Sequence, residues 1–146
     1  MSADQNILLV EDNRMDIELT IDAFEQNLTT SKVYVAETGE VAIDYLLGRN
    51  SYADRSKYPL PDLILLDLKM PGMSGQEILK KIKTTTDTKK IPVIVLTSSQ
   101  EHHDLKECYN NGANSYILKP VSYEGFLDVI RKVDEYWFQL NISAPK

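Results

Sequence analysis

Short apolar runs and segments of helical periodicity alternate along the chain. The apolar runs are continuous rather than alternating, which is typical of strands that are buried on both faces of a parallel sheet. Five such runs predict strands, at residues 7–10, 33–36, 63–66, 91–96 and 116–118. Between the runs, apolar residues recur three or four positions apart and predict helices.

The first predicted helix covers 13–28, where apolar residues from Ile17 to Leu28 would share one face. The same periodicity predicts a second helix at 39–48 and a last helix from about 122 to 139. Both would pack an apolar stripe against the sheet.

Local signals place the third and fourth helices. Ser74 and Glu77 have the spacing of a capping box, which predicts the start of the third helix. Ser98 and Glu101 have the same spacing and predict the start of the fourth. Gly112 suits the left-handed position that ends this helix.

The alternation predicts an α/β fold, with (βα) repeated five times, right-handed crossovers and a five-stranded parallel sheet between two helical layers. At 146 residues we expect a single domain over 1–146, with its core at about 5–138 and a short tail at 139–146. Residues 48–61, "GRNSYADRSKYPLP", are polar and long for a helix-to-strand connection. We interpret this segment as an insertion.

Composition and charge exclude several classes of partner. The formal net charge is −6, which argues against binding to nucleic acid and to anionic membranes. No apolar run approaches the roughly 18 residues of a membrane span, and the N-terminus has no secretory pattern. Cys108 is the single cysteine, so no internal disulfide can form and a reducing, cytoplasmic location is expected.

Polar side chains follow four of the five predicted strands. They are Glu11 and Asp12 after the first strand, Asp67 after the third, Thr97 after the fourth and Lys119 after the fifth. Ligands of open parallel sheets bind outside the carboxyl ends of the strands. We therefore expect these five side chains to converge on one site.

Three carboxylates at one edge repel one another unless a cation lies among them. Oxygen ligands without histidine or thiolate favour a hard ion, and a site completed by water favours Mg²⁺. One carboxylate could then attack a phosphoryl group, whose oxygens Lys119 and Thr97 could hold. Taken singly, Asp12 could instead cap a helix, Thr97 could be structural and Lys119 could be a surface lysine.

Four motifs carry a family resemblance: "VEDN" at 10–13, "LLDLKMPGMSG" at 65–75, "PVIVLTSS" at 92–99 and "GANSYILKP" at 112–120. They resemble the receiver domain of two-component response regulators over nearly the whole chain. The resemblance implies a flavodoxin-like three-layer fold with strand order 2-1-3-4-5. The interval from Asp12 to Asp67 is longer than the family usually shows, and the insertion at 48–61 accounts for the excess.

The resemblance implies that Asp67 is the phosphoacceptor. Glu11 and Asp12 would hold Mg²⁺ together with Asp67 and the backbone carbonyl of Lys69. Lys69 also stands two positions after the acceptor, a place that is thought to tune dephosphorylation.

The resemblance also implies roles around the phosphoryl group. Thr97 would turn toward it, and Lys119 would pair with it. Tyr116 would be the switch aromatic that fills the space left by Thr97. The Lys119–Pro120 peptide would be cis, and Ser99 would be a second position that tunes dephosphorylation.

The chain looks most like the small stand-alone regulators that are associated with phytochromes. The implied partners are a sensor histidine kinase (phytochrome-type or hybrid) or a phosphotransfer protein, and a downstream protein target. Tyr136, Trp137 and Phe138 are consecutive, so on a helix at least one ring should point outward. These rings could serve a homodimer through the C-terminal helix or only pack on the sheet.

Three other functions are weaker interpretations. A metabolic phosphohydrolase with an aspartyl-phosphate would need an acid two positions after its nucleophile, where this chain has Lys69. A nucleotide-binding module would need glycines after the first strand, where the sequence is "EDNRM". A receiver that only docks would not need the complete set of polar residues. We therefore expect no metabolic enzyme.

Overall fold

A computed structural model describes residues 5–27 and 30–145, which form one five-stranded parallel sheet flanked by helices. The strands are β1 (Gln5–Val10), β2 (Ser31–Ala36), β3 (Leu63–Leu66), β4 (Val93–Thr97) and β5 (Ser115–Leu118). Their order across the sheet is β2-β1-β3-β4-β5. The predicted α/β class, the flavodoxin-like order and the parallel pairing are confirmed.

Five α-helices connect and follow the strands. They are α1 (Arg14–Glu25), α2 (Gly39–Leu47), α3 (Gly75–Thr84), α4 (His102–Asn110) and α5 (Tyr123–Asp134), the last continued by a π-helical turn (Glu135–Leu140). The first helix is shorter than predicted, and Leu28 lies outside the described residues. None of the described helices has both the length and the apolar character of a membrane span.

The sheet separates two hydrophobic cores, which explains the continuous apolar runs. In β3, Ile64 and Leu66 pack with residues of α2, α3 and α4. Leu63 and Leu65 pack on the opposite face with residues of α1 and α5. All four side chains are fully buried, so Asp67 directly follows a strand that is buried on both faces.

The capping signals differ in outcome. The Ser74 hydroxyl accepts a hydrogen bond from the backbone N–H of Glu77, so the capping box of α3 is confirmed. The second box is wrong, because Glu101 itself precedes the first residue of α4 and no side chain caps that end. Gly112 has a φ of +99°, so its left-handed conformation after α4 is confirmed.

The 48–61 segment packs against the end of α2. Arg55 donates hydrogen bonds to the carbonyl oxygens of Tyr45 and Leu46, both at 2.8 Å, and of Tyr58 at 3.1 Å. The Tyr45 hydroxyl donates to the carbonyl of Pro59 at 2.9 Å. Because the last carbonyls of a helix lack partners within it, the segment completes the C-terminal end of α2.

Candidate functional site

Three carboxylates converge at the carboxyl end of the sheet. Ligand oxygens of Glu11, Asp12 and Asp67 lie within 4.8 Å of one another. Glu11 and Asp67 are buried, with 3% and 6% of their surface exposed, whereas Asp12 is exposed. The same cleft is lined by Lys119, so four of the five predicted site residues meet there.

The backbone fixes these positions, because the strand pairing continues one residue past the strand ends. The N–H of Glu11 donates to the carbonyl of Ala36 at 3.0 Å, and the N–H of Asp67 donates to the carbonyl of Val10 at 3.1 Å. The N–H of Lys119 donates to Thr97 at 2.8 Å. The side chains therefore project from rigid, paired backbone.

Lys119 is the cation of the site. Its Nζ lies 2.7 Å from Glu11 Oε1, 2.8 Å from Asp16 Oδ2 and 3.7 Å from Asp67 Oδ2. Burial alone would lower the pKa of Lys119, but the hydrogen bonds to Asp16 and Glu11 outweigh it, and the pKa is raised. The ammonium is therefore held charged beside Asp67.

Asp16 is a site residue that the sequence interpretation missed. It lies in the first turn of α1, and it accepts a hydrogen bond from Lys119 Nζ at 2.8 Å. The sequence signal is an acid in the first turn of the predicted helix at 13–28, which begins close to the end of the first strand. The pattern of strand ends does not indicate Asp16, because this residue lies on a helix and not directly after a strand.

The protonation of Glu11 reflects its burial. Burial, together with the charge of Asp67, raises the pKa of Glu11 to about 7 against the hydrogen bond from Lys119. A cation among these acids would offset the repulsion between the carboxylates and lower the pKa of Glu11. The donor set consists of carboxylate oxygens, which suits a hard divalent ion, so Glu11, Asp12 and Asp67 could hold a metal ion.

Lys69 lines the cleft beside the acidic residues. Its backbone N–H donates to Asp67 Oδ1 at 3.4 Å, which orients the Asp67 carboxylate. The role of its backbone carbonyl as a metal ligand stays a prediction.

Thr97 is the predicted site residue that does not face the cleft. It is fully buried at the end of β4, and its hydroxyl accepts a hydrogen bond from the N–H of Ser99 at 3.3 Å. Ser98 lines the cleft in its place. Thr97 would have to exchange this hydrogen bond to reach a group on Asp67.

Tyr116 anchors β5 to the loop between β4 and α4. Its hydroxyl donates to the carbonyl of Ser99 at 2.9 Å, and its ring packs against the core that contains α2 and α3. Burial raises the pKa of Tyr116, so the hydroxyl is a hydrogen-bond donor at neutral pH. Tyr116 and Thr97 therefore contact the same residue, Ser99.

The expected cis peptide at Pro120 is wrong. No peptide bond among residues 5–27 and 30–145 is cis, so the Lys119–Pro120 bond is trans. Trans is the favoured isomer before proline by about 0.5–1 kcal/mol. With the trans bond, Lys119 Nζ lies 2.7 Å from Glu11 Oε1 and 2.8 Å from Asp16 Oδ2.

Comparisons with known proteins identify the family. Residues 7–131 match the model of the response regulator receiver domain. The chain is 39% identical over 137 residues to the probable methanogenesis regulatory protein FilR2 of Methanothrix harundinacea, covering 94% of this chain and 86% of the relative. It is 31% identical over 139 residues to response regulator Rcp1 of Synechocystis, covering 95% and 92%.

Solved structures of response regulators have the same fold as this chain. The phosphorylated cyanobacterial phytochrome response regulator RcpA superposes with a TM-score of 0.92 at 33% identity, covering 98% of this chain and 100% of that structure. The Mn²⁺-bound form of Rcp1 superposes with a TM-score of 0.88 at 29% identity, covering 97% and 99%. Proteins of this family act in two-component signalling, with histidine kinases or phosphotransfer proteins as partners. The chain belongs to the response regulator receiver domain family.

Proposed function

We propose that this chain is a single-domain response regulator in which Asp67 accepts a phosphoryl group from a phosphohistidine of a partner protein. The observation that carries the proposal is the Asp67 carboxylate, which lies beside the Lys119 ammonium and two further acids at the end of the sheet. The similarity to RcpA, a regulator whose crystal structure is of the phosphorylated form, supports it.

The transfer follows from the chemistry of these groups. A carboxylate oxygen of Asp67 attacks the phosphorus and forms an O–P bond as the N–P bond of the phosphohistidine breaks. The electron pair of that bond returns to the imidazole nitrogen, which becomes neutral or takes a proton from solvent. Lys119 neutralises part of the charge on the phosphoryl oxygens and holds them in place.

Mg²⁺ is the proposed cofactor, and it would supply positive charge to the phosphoryl oxygens during transfer. Glu11, Asp12, Asp67 and the backbone carbonyl of Lys69 would hold it. The carboxylate donor set favours a hard ion, and the Mn²⁺-bound Rcp1 structure supports a divalent ion in a relative.

The phosphorylated state would differ around Thr97 and Tyr116. The Thr97 hydroxyl, which accepts from the Ser99 N–H, would turn and donate to a phosphoryl oxygen, and Tyr116 would adjust because its hydroxyl also contacts Ser99. Phosphorylation then favours one arrangement of α4 and β5 over another, and a downstream protein binds the favoured arrangement.

The proposed partners are a sensor histidine kinase, phytochrome-type or hybrid, or a phosphotransfer protein. This inference rests on the similarity to RcpA, which is named as a phytochrome response regulator. The chain would act in the cytoplasm, where its free Cys108 stays reduced. We propose no metabolic reaction, because Lys69 stands where a phosphohydrolase would need a general acid.

We also propose a homodimer through the C-terminal helix region. Tyr136, Leu140 and Ile142 are exposed there, with 48%, 73% and 93% of their surfaces accessible. Trp137 and Phe138 pack inward on the core beside α5. Sedimentation of the wild type and of Leu140→Glu tests this proposal: a dimer that the substitution dissociates supports it, and a monomeric wild type contradicts it.

Intact-mass measurement tests the phosphoacceptor. The chain is incubated with acetyl phosphate, with and without Mg²⁺, as wild type and as Asp67→Asn. A Mg²⁺-dependent phosphoryl adduct that hydroxylamine removes and that the variant lacks is the expected result. An adduct retained in Asp67→Asn, or none on the wild type with either acetyl phosphate or a phosphorylated kinase, would overturn the proposal.

A further inference from the structure

Asp104, in the first turn of α4, contacts residues of two loops beside the site. Asp104 Oδ2 lies 3.2 Å from Lys69 Nζ and accepts a hydrogen bond from the Ser99 hydroxyl at 2.6 Å. Lys69 comes two positions after Asp67, and Ser99 comes two positions after Thr97. The Asp104 carboxylate therefore contacts both Lys69, which is close to the acceptor Asp67, and Ser99, which is close to the buried hydroxyl of Thr97.

The backbone of Asp104 is held as well. Gln76, at the start of α3, donates from Nε2 to the Asp104 carbonyl and to Cys108 Sγ, both at 3.2 Å. Gln76 Oε1 accepts a hydrogen bond from Asn111 Nδ2 at 3.1 Å. These contacts fix where α4 lies relative to α3, and hence where the Asp104 carboxylate points.

The position of Lys69 decides what its ammonium can contact. The Lys69 side chain is about half exposed and its ammonium contacts Asp104, while the backbone N–H of Lys69 donates to Asp67. Without Asp104, the flexible side chain would be free to turn back toward a phosphoryl group on Asp67, which is the strongest nearby anion. An ammonium resting on the phosphoryl oxygens would obstruct the approach of water.

We propose that Asp104 is a positioning residue that keeps Lys69 away from Asp67 and thereby limits the lifetime of the aspartyl phosphate. The inference rests on the proposed function of Asp67. In the hydrolysis concerned, a water oxygen bonds to phosphorus, the Asp67 O–P bond breaks, the carboxylate is regenerated and the water proton passes to phosphate or solvent. Because Asp104 lies on α4, a movement of that helix would change the phosphate lifetime.

The test measures the decay of the phosphoryl adduct by intact mass after acetyl phosphate is removed. Asp104→Asn should lengthen the lifetime up to about fivefold, the scale set by a partly exposed ion pair. Asp104→Glu, which keeps the charge, should restore part of the wild-type decay. The matched control is Glu107→Gln, which removes an acid from the same helix that pairs with His103 instead of the site.

A double-mutant cycle separates positioning from general loosening of α4. Asp104→Asn is compared in the wild-type background and in the Lys69→Ala background. The lifetime should lengthen only where Lys69 is present, because its ammonium is the group that Asp104 restrains. Equal lifetimes in Asp104→Asn and the wild type, or the same lengthening without Lys69, would overturn the inference while leaving Asp67 as the acceptor. Absence of any adduct on the wild type would overturn the proposed function first.

Discussion

Helices α2 and α4 have the same length and cover the same face of the sheet, but they are held in different ways. Each spans nine residues. In α2 the buried side chains include Ala42, Ile43, Tyr45 and Leu46, whereas in α4 Cys108 alone is buried. Burial of apolar surface therefore anchors α2 much more strongly than α4.

The ends of the two helices show the same contrast. The Thr38 hydroxyl caps the start of α2 by accepting a hydrogen bond from the Val41 N–H at 3.1 Å. Gly48, with a φ of +65°, ends the helix, and the Arg55 side chain lies next to it. No side chain caps the start of α4. That helix depends instead on polar contacts from Gln76, Lys69 and Ser99, as described above.

Polar contacts at a surface can be exchanged for contacts with water or with a partner at low net cost, whereas buried apolar contacts cannot. The contrast therefore indicates that α2 is a fixed part of the scaffold and that α4 is the part that can move. This agrees with the proposed switch, in which the rearrangement begins at Thr97 and Ser99, directly before α4.

The largest predicted effect concerns the buried anchor of α2. Tyr45→Ala should lower the free energy of unfolding by about 3–5 kcal/mol, because it leaves a cavity and removes the hydrogen bond to Pro59. Tyr109→Ala on α4 should change it by less than about 0.5 kcal/mol, because that ring is half exposed. Urea unfolding of both variants gives the values, and similar losses would break the comparison.

A smaller effect is expected at the polar anchor of α4. Gln76→Ala should lower the free energy of unfolding by about 1 kcal/mol and speed amide exchange in α4 but not in α2. Lys80→Ala, an exposed position on the same helix as Gln76, is the control. Exchange that rises equally in α2 and α4 would show that the anchor is not local.

The smallest effect is a dependence of α4 on pH. The hydrogen bond from Ser99, followed by the contact with Lys69, lowers the pKa of Asp104, and His103 adds to it. A carboxyl whose pKa is lower in the folded state stabilises that state above the unfolded value of about 3.9 and loses the contribution as the pH falls through the folded pKa. The protection of the α4 amides, after correction for the pH dependence of intrinsic exchange, should therefore fall below about pH 4 in the wild type and less so in Asp104→Asn. An identical pH response in the two proteins would contradict this assignment.

The fold and the acidic cluster could be predicted from the sequence because both follow from local pattern. Continuous apolar runs mark the strands, and parallel strands bring their carboxyl ends to one edge. The polar residues that follow these runs therefore predict the cluster of Glu11, Asp12, Asp67 and Lys119.

The remaining features depend on contacts between distant segments. The hydrogen bonds of Arg55 to α2 and the contact of Lys119 with Asp16 join residues whose proximity only the folded chain decides. The predicted cap at Ser98 failed because the Ser99 hydroxyl, not that of Ser98, receives the N–H of Glu101 and binds Asp104. Local spacing cannot distinguish these two neighbouring serines.

Hydrogen exchange before and after phosphorylation tests the central claim, that a phosphoryl group on Asp67 is detected at α4 and not at α2. The chain is treated with acetyl phosphate and Mg²⁺, and peptides from both helices are followed by mass spectrometry, with Asp67→Asn as the control. The account predicts a changed exchange rate in α4 and β5 of the wild type, no change in α2, and none in the variant. An unchanged α4 in a protein that carries the adduct, or an equal change in α2, would contradict it.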